Sequence, residues 1–89
     1  MAYTPLFTNR FQKDLKLATK RGKDTRKIKT IITQLIKEQS PARKHQDHPL
    51  TGNYSKHREC HIEPDWLLIY RIDHKTIIFE RTGTHSDLF

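Results

Sequence analysis

The sequence predicts an α+β domain in which two N-terminal helices pack on one face of a small, mostly antiparallel four-stranded sheet, in the order β-α-α-β-β-β. Apolar residues recur with helical spacing between Phe11 and Ile36, and strand-like apolar runs follow from Cys60 to Thr82. Turn residues punctuate the chain between these stretches. A helical pair needs a surface for its apolar stripes, and the second half of the chain offers one.

Residues 2–7, AYTPLF, read as a short strand that Pro5 confines to an edge or a strand end. Thr8 or Asn9 can cap the next element, where Phe11, Leu15 and Ala18 mark one helical face and Gly22 supplies a stop. Asp24 caps a second helix whose stripe of Ile28, Ile31, Ile32, Leu35 and Ile36 continues until Ser40-Pro41 ends it. Residues 41–53 carry two prolines and a glycine with little apolar content, so they read as a loop holding His45, Asp47 and His48.

The stretch 57–72, HRECHIEPDWLLIYRI, reads as a hairpin about the turn Glu63-Pro64-Asp65-Trp66. Pairing Glu63 with Trp66 sets Ile62 against Leu67, His61 against Leu68 and Cys60 against Ile69. Side chains alternate along a strand, so one face takes Cys60, Ile62, Leu67 and Ile69, and the other takes His61, Glu63, Trp66, Leu68 and Tyr70. A turn at Asp73-His74 then leads into a strand over residues 76–82. A two-residue loop pairs Tyr70 with Ile77, Leu68 with Phe79 and Trp66 with Arg81, which brings Arg81 to the His61 face, whereas a loop one residue longer would move Arg81 to the other side. The tail, residues 83–89, leaves the sheet.

At 89 residues the chain is one domain, 1–89, with room for one modest core. Its 34% hydrophobic and 30% charged content lies near the border of disorder, but the apolar residues cluster periodically and so predict folding. Seventeen Lys and Arg against ten Asp and Glu give a formal charge of +7, which attracts polyanions. Nucleic acid or an acidic protein segment is the natural partner. The single cysteine excludes an internal disulfide, the start lacks a signal-peptide pattern, and no run approaches the roughly 18 apolar residues of a membrane span. A cytoplasmic protein without a membrane partner is expected.

His61, Asp65, Trp66 and Arg81 gather on the open face in this reading, with His48 and His85 at its rim. Imidazoles exchange protons near neutral pH and arginine stays charged, which are the groups that RNA phosphodiester cleavage needs. A base takes the ribose 2′-OH proton, the oxygen attacks phosphorus, a cation steadies the added charge, and an acid protonates the leaving 5′ oxygen. No metal or other cofactor is needed. Trp66 or Phe89 can stack a base; the plainer roles are a rim-of-core tryptophan and a phenylalanine that pins the C-terminus. His48, His61, Asp65 and His85 also have the ligand types of a zinc site, although no compact CxxC or HxxxH pair is present. Cys60 is expected inward as a core residue. Lys20, Arg21, Lys23, Arg26 and Lys27 form either a solvated face or a grip on phosphates.

The segments DHPLTGN (47–53), RECHIEPDWLLIYRI (58–72) and ERTGTHSDLF (80–89), together with length and element order, resemble the YafQ-like toxins of bacterial type II toxin–antitoxin modules, within the RelE/ParE superfamily. The resemblance implies a ribosome-dependent mRNA endonuclease that cuts the message in the 30S A site and is silenced by a cognate antitoxin. It assigns the active site to His48, His61, Asp65, Trp66, Arg81, His85 and Phe89. Within that set we expect His48 and His85 as the base and acid in either order, Arg81 as the phosphate and transition-state cation, and His61 with Asp65 as orienting and proton-tuning groups. The antitoxin's neutralising segment is expected to be acidic and to fold on binding, with operator DNA a further candidate target of the complex. Two rivals keep the fold without catalysis: a ParE-like inhibitor that binds DNA gyrase, and a basic RNA- or operator-binding module. A pure binder needs no proton carriers, so the His, Asp and Arg constellation favours the nuclease.

Overall fold

The structure, a computed structural model, describes residues 2–54 and 56–89. β1 (Thr4–Phe7) leads into α1 (Asn9–Lys20) and α2 (Thr25–Ile36); β2 (His48–Pro49), β3 (Arg58–Glu63), β4 (Trp66–Asp73), β5 (Thr76–Gly83) and α3 (His85–Leu88) follow. The sheet has five strands in the order β1-β5-β4-β3-β2, with β1 parallel to β5 and the other neighbours antiparallel. The expected four-strand sheet thus gains β2, inside the segment read as a loop. Its two residues pair His48 with Glu59 and Pro49 with Arg58. Too short to show a period, it sits at the edge where proline is tolerated. Among the described residues, no helix is long and apolar enough to cross a membrane.

Local chemistry sets the helix ends. Thr8 Oγ1 accepts from the Phe11 N–H to open α1, and Asp24 accepts from the Arg26 N–H to open α2. Gly22, at φ 82°, reverses the chain between them. α2 ends at Ile36, before the expected Ser40-Pro41 stop, because Glu38 takes a left-handed turn at φ 60°. Phe11, Ala18, Ile28, Ile31, Ile32 and Leu35 bury one helical surface against Cys60, Ile62, Trp66, Leu68, Tyr70, Ile77 and Phe79. On the opposite side of the sheet Leu67, Ile69 and Leu88 pack with Leu50 and Tyr54, so α3 and the 50–54 loop cover part of the face expected to be open.

Two strand irregularities change the expected register. Glu63 does face Trp66, but a bulge leaves His61 opposite Leu67, Cys60 opposite Leu68 and Glu59 opposite Ile69. The one-residue shift separates His61 from Trp66. The indole, with Leu68 and Tyr70, lies beneath the helices beside Cys60 and Ile62, and His61 turns to the other side. The second turn is His74-Lys75, flanked by the pair Asp73 and Thr76, with His74 at φ 56°. Tyr70 therefore faces Phe79 instead of Ile77, and an irregularity between Ile69 and Tyr70 sets Arg81 opposite Ile69 and Thr82 opposite Leu68. Arg81 still reaches the side that carries His61, by a different pairing.

Buried polar groups pin the C-terminal segment to this frame. Trp66 Nε1–H donates to Thr82 Oγ1 at 3.0 Å, and that hydroxyl donates to the Leu67 carbonyl at 2.7 Å. A Thr82→Val substitution keeps the shape but leaves the indole N–H unpaired, so it should cost about 1–3 kcal/mol in denaturant unfolding. α3 is held by a capping box, in which Thr84 Oγ1 accepts from the Asp87 N–H and Asp87 accepts from the Thr84 N–H, and by an Arg21–Asp87 ion pair at 2.6 Å. Arg21, aided by the Thr84 N–H, holds the Asp87 carboxyl well below the usual carboxylate range. A depressed folded-state pKa stabilises fully above the unfolded value, about 3.9, and that contribution fades as pH falls through the folded value. Amide protection factors over residues 85–89, with the intrinsic pH dependence of exchange divided out, should therefore hold from pH 7 to about pH 5 and fall only in stronger acid, whereas Asp87→Asn should lower them already at neutral pH.

Candidate active site

β2, β3 and α3 bring three imidazoles into a row. The His48 and His61 ring centroids are 6.0 Å apart, and those of His61 and His85 are 5.8 Å apart. Beneath the first two lies Glu59, 6% exposed, whose Oε2 stands 3.0 Å from His48 Nε2 and 3.2 Å from His61 Nε2. Glu59 was not among the expected site residues. Its signal is the spacing Glu-x-His in a strand, because residues two apart share a face. His48 Nδ1 meets the Gln46 carbonyl at 2.5 Å, so both of its ring nitrogens face acceptors. The segment before β2 is fastened by Asp47, whose Oδ1 accepts from the Tyr70 hydroxyl at 2.8 Å and from Arg58 Nε at 3.1 Å.

The third imidazole has its own carboxylate. Asp65 Oδ1 accepts the His85 backbone N–H at 2.9 Å and lies 2.6 Å from its Nδ1. The two His85 contacts hold the Asp65 carboxyl below its ordinary range, and Lys23 adds to the effect. An ionised Asp65 keeps the proton on Nδ1 and leaves Nε2 for a substrate. The turn residue Asp65, remote in sequence from His85, thus sets that histidine's tautomer and direction.

Arg81 is placed on the same side but is not a free cation. Its Nε and Nη2 donate to Asp14 of α1 at 2.6 and 3.1 Å, and both side chains are about 15% exposed. After Asp14, Tyr54 also favours the charged Arg81 guanidinium, and its ring meets Phe89 edge-on at a centroid distance of 5.6 Å. Phe89 is 63% exposed and open to a stacking base. Neither Asp14 nor Tyr54 was among the expected site residues, and neither carries a local signal: one sits within a helix and the other in a polar loop.

The structure corrects the expectation for Trp66. At 1% exposure, under the helices and bonded to Thr82, it offers no face for a base. Cys60 is buried as expected, and burial pushes its thiol up to about 12, which removes it as a nucleophile. Among the basic residues, Lys20 is exposed, Arg26 pairs with Asp24, Arg21 with Asp87, and Lys23 and Lys27 share Glu63 at 2.9 and 2.7 Å. Arg21 and Lys23 border the Asp65–His85 end of the row, through Asp87 on α3 and the field of Lys23 at Asp65.

Imidazoles backed by carboxylates, with an arginine and an exposed aromatic ring nearby, can move protons around a bound phosphodiester. A model of the family described as bacterial toxin of type II toxin-antitoxin system, YafQ, matches residues 3–89. The "mRNA interferase toxin YafQ" of Escherichia coli strain K12 is 46% identical over 84 residues, 93% of this chain and 91% of that protein. The YafQ-type fold of the E. coli DinJ-YafQ toxin-antitoxin complex superposes with a TM-score of 0.92 at 42% identity, covering 100% of this chain and 99% of that one. A metal-bound toxin from Helicobacter pylori superposes with a TM-score of 0.91 at 41% identity, with both chains covered in full. The chain belongs to the YafQ family of toxins from bacterial type II toxin–antitoxin systems.

Proposed function

We propose that this protein is an mRNA interferase that cleaves translated messages in the ribosomal A site by metal-independent acid–base chemistry. The observation that supports it most is the row of three imidazoles, two of them sharing Glu59 and the third backed by Asp65. In-line attack places the 2′ oxygen and the leaving 5′ oxygen on opposite sides of phosphorus, so base and acid must stand apart with the phosphate between them. His48 and His85 flank His61 and meet that need. Arg81 faces the charge that builds on the phosphate oxygens, using the guanidinium donors that Asp14 does not take. His61 and Asp65 orient the flanking pair, and Phe89 stacks a splayed base of the message. Lys20, Arg21, Lys23, Arg26 and Lys27 contribute a field for the RNA backbone. Trp66 serves this site only as the buried floor beneath it.

A formal charge of +7 suits both a ribosomal RNA surface and an acidic antitoxin segment that folds as it binds. The E. coli relative is held by DinJ in a toxin-antitoxin complex. That kinship supports neutralisation of this protein by a cognate antitoxin, and operator binding by the complex is proposed with it. An enzyme that acts on translating ribosomes would do so in the cytoplasm, the compartment this reading proposes. A ParE-like gyrase binder would have no use for the paired imidazoles.

A metal reading has its own support. One ligand atom each from His48, Glu59 and His61 lies within 4.8 Å of the others, and the H. pylori relative is metal-bound. A zinc or copper ion here would occupy imidazole nitrogens that the proton transfers use, so it acts as an inhibitor. In a translating extract, 5′-end mapping should show cuts in register with the reading frame, and His85→Ala should fold normally yet cleave about 10²–10⁴ times more slowly. Native-level cleavage by His85→Ala would remove that histidine from the chemistry. Removal of transition metals by a chelator, with ribosomal magnesium replenished, should leave cleavage intact, and added zinc should suppress it; loss of cleavage with the chelator would mark the metal as required.

A further inference from the structure

Asp14 has the geometry of a clamp. Its Oδ2 accepts from Arg81 Nε at 2.6 Å and from the Thr82 backbone N–H at 3.2 Å, while Oδ1 accepts from Arg81 Nη2 at 3.1 Å. One carboxylate on α1 thus fixes both a side chain and the strand that bears it, 67 residues further along the chain. Thr82 also accepts the Trp66 indole N–H, so the clamped strand is seated on the core. An unclamped arginine at a strand edge would sample many rotamers, and ordering it would then oppose every turnover. The two-point pairing spends two of the five guanidinium donors, and those that neither Asp14 nor Tyr54 engages are left for a ligand.

We infer that Asp14 is a positioning residue for RNA cleavage, holding Arg81 so that its remaining donors meet the phosphate as charge develops there. This rests on the proposed role of Arg81 as the transition-state cation. The clamp has a second consequence, because a fixed anion beside the cation weakens attraction for the ground-state phosphate. Removing Asp14 should therefore lower kcat while leaving KM for programmed ribosomes unchanged or smaller. A purely structural role would scale down the amount of folded protein, with kcat per folded molecule preserved.

The test measures steady-state cleavage on programmed ribosomes for Asp14→Ala, Asp14→Asn, Arg81→Ala and the Asp14→Ala/Arg81→Ala pair, each normalised to folded protein by thermal unfolding. Loss of Arg81 should cost about 10²–10³ in kcat, as removal of a transition-state donor does. Asp14→Ala should cost at least about tenfold in kcat without raising KM, and the double variant should be no slower than Arg81→Ala, because residues that act as a unit are not additive. Asp14→Asn, whose Oδ1 can still accept from Nε and the Thr82 N–H, should fall between Asp14→Ala and the native protein. Native kcat in folded Asp14→Ala, or independent losses that multiply in the double variant, would overturn the assignment of Asp14 alone. If Asp14→Ala does not fold, native kcat in Asp14→Asn overturns it instead. Native cleavage by Arg81→Ala would show that the reading of Arg81 is at fault, and the role of Asp14 would fall with it.

Discussion

The bulge between His61 and Glu63 is the constraint on which the site depends. β3 must deliver apolar residues to the helices and imidazole chemistry to the opposite side, and strict alternation through the hairpin would have put His61 and Trp66 on one face. The extra residue lets Ile62 and Cys60 stay with Trp66, Leu68 and Tyr70 in the core while His61 joins Leu67 and Ile69 across the sheet. Irregular pairing loses part of a ladder, and here the loss lies beside the turn, where Glu63 is anchored by Lys23 and Lys27. The same turn supplies Asp65, so the bulge and the partner of His85 lie within one short hairpin connection.

Several groups of the candidate site are held from behind by a carboxylate that belongs to another part of the chain. Asp47 ties the approach to β2 to Tyr70 and Arg58, Asp65 ties His85 to the β3–β4 turn, Asp14 ties Arg81 to α1, and Asp87 ties α3 to Arg21. None of these ties is a deep ion pair, so their worth to overall stability is small in comparison with the core. Their importance is geometric. A group displaced by about an ångström can cost about a hundredfold in rate, far more than the same displacement costs in folding.

Sequence patterns recover the layers of this fold well, because two helical stripes and the apolar β4 leave few ways to bury them. They also single out His48, His61, Asp65, Arg81, His85 and Phe89, which the structure places on one side of the sheet or at its rim. They fail where the period breaks. A bulge inserts one residue with no composition of its own, and a strand as apolar as WLLIY, residues 66–70, gives no indication of which face the helices cover. That ambiguity misplaced Trp66. Glu59 was legible in principle, since it stands two residues from His61 on a strand, but its burial depends on β2, which is too short to be seen as a strand. Asp14 is invisible locally, because only the folded chain brings α1 alongside the end of β5.

The abundance of acids around the candidate site would repel an anionic substrate if they were unpaired. Glu59 meets two imidazoles, Asp65 meets His85, Asp14 meets Arg81, Asp87 meets Arg21, and Glu63 meets Lys23 and Lys27. Pairing cancels most of their long-range field, and the surplus of basic residues still gives the whole chain its charge of +7. Attraction and alignment are therefore supplied by different parts of the molecule. On the proposed reading, the outer lysines and arginines would pull on RNA without specificity, while the paired groups would set the direction from which a proton or a cation reaches the phosphate. An all-cationic site would bind RNA more tightly but would hold bound message and cleaved message alike, since binding energy common to ground and transition states does not speed the chemical step. In the proposed reaction, the paired acids would confine what remains of the charge to directions that matter when the phosphate is most negative.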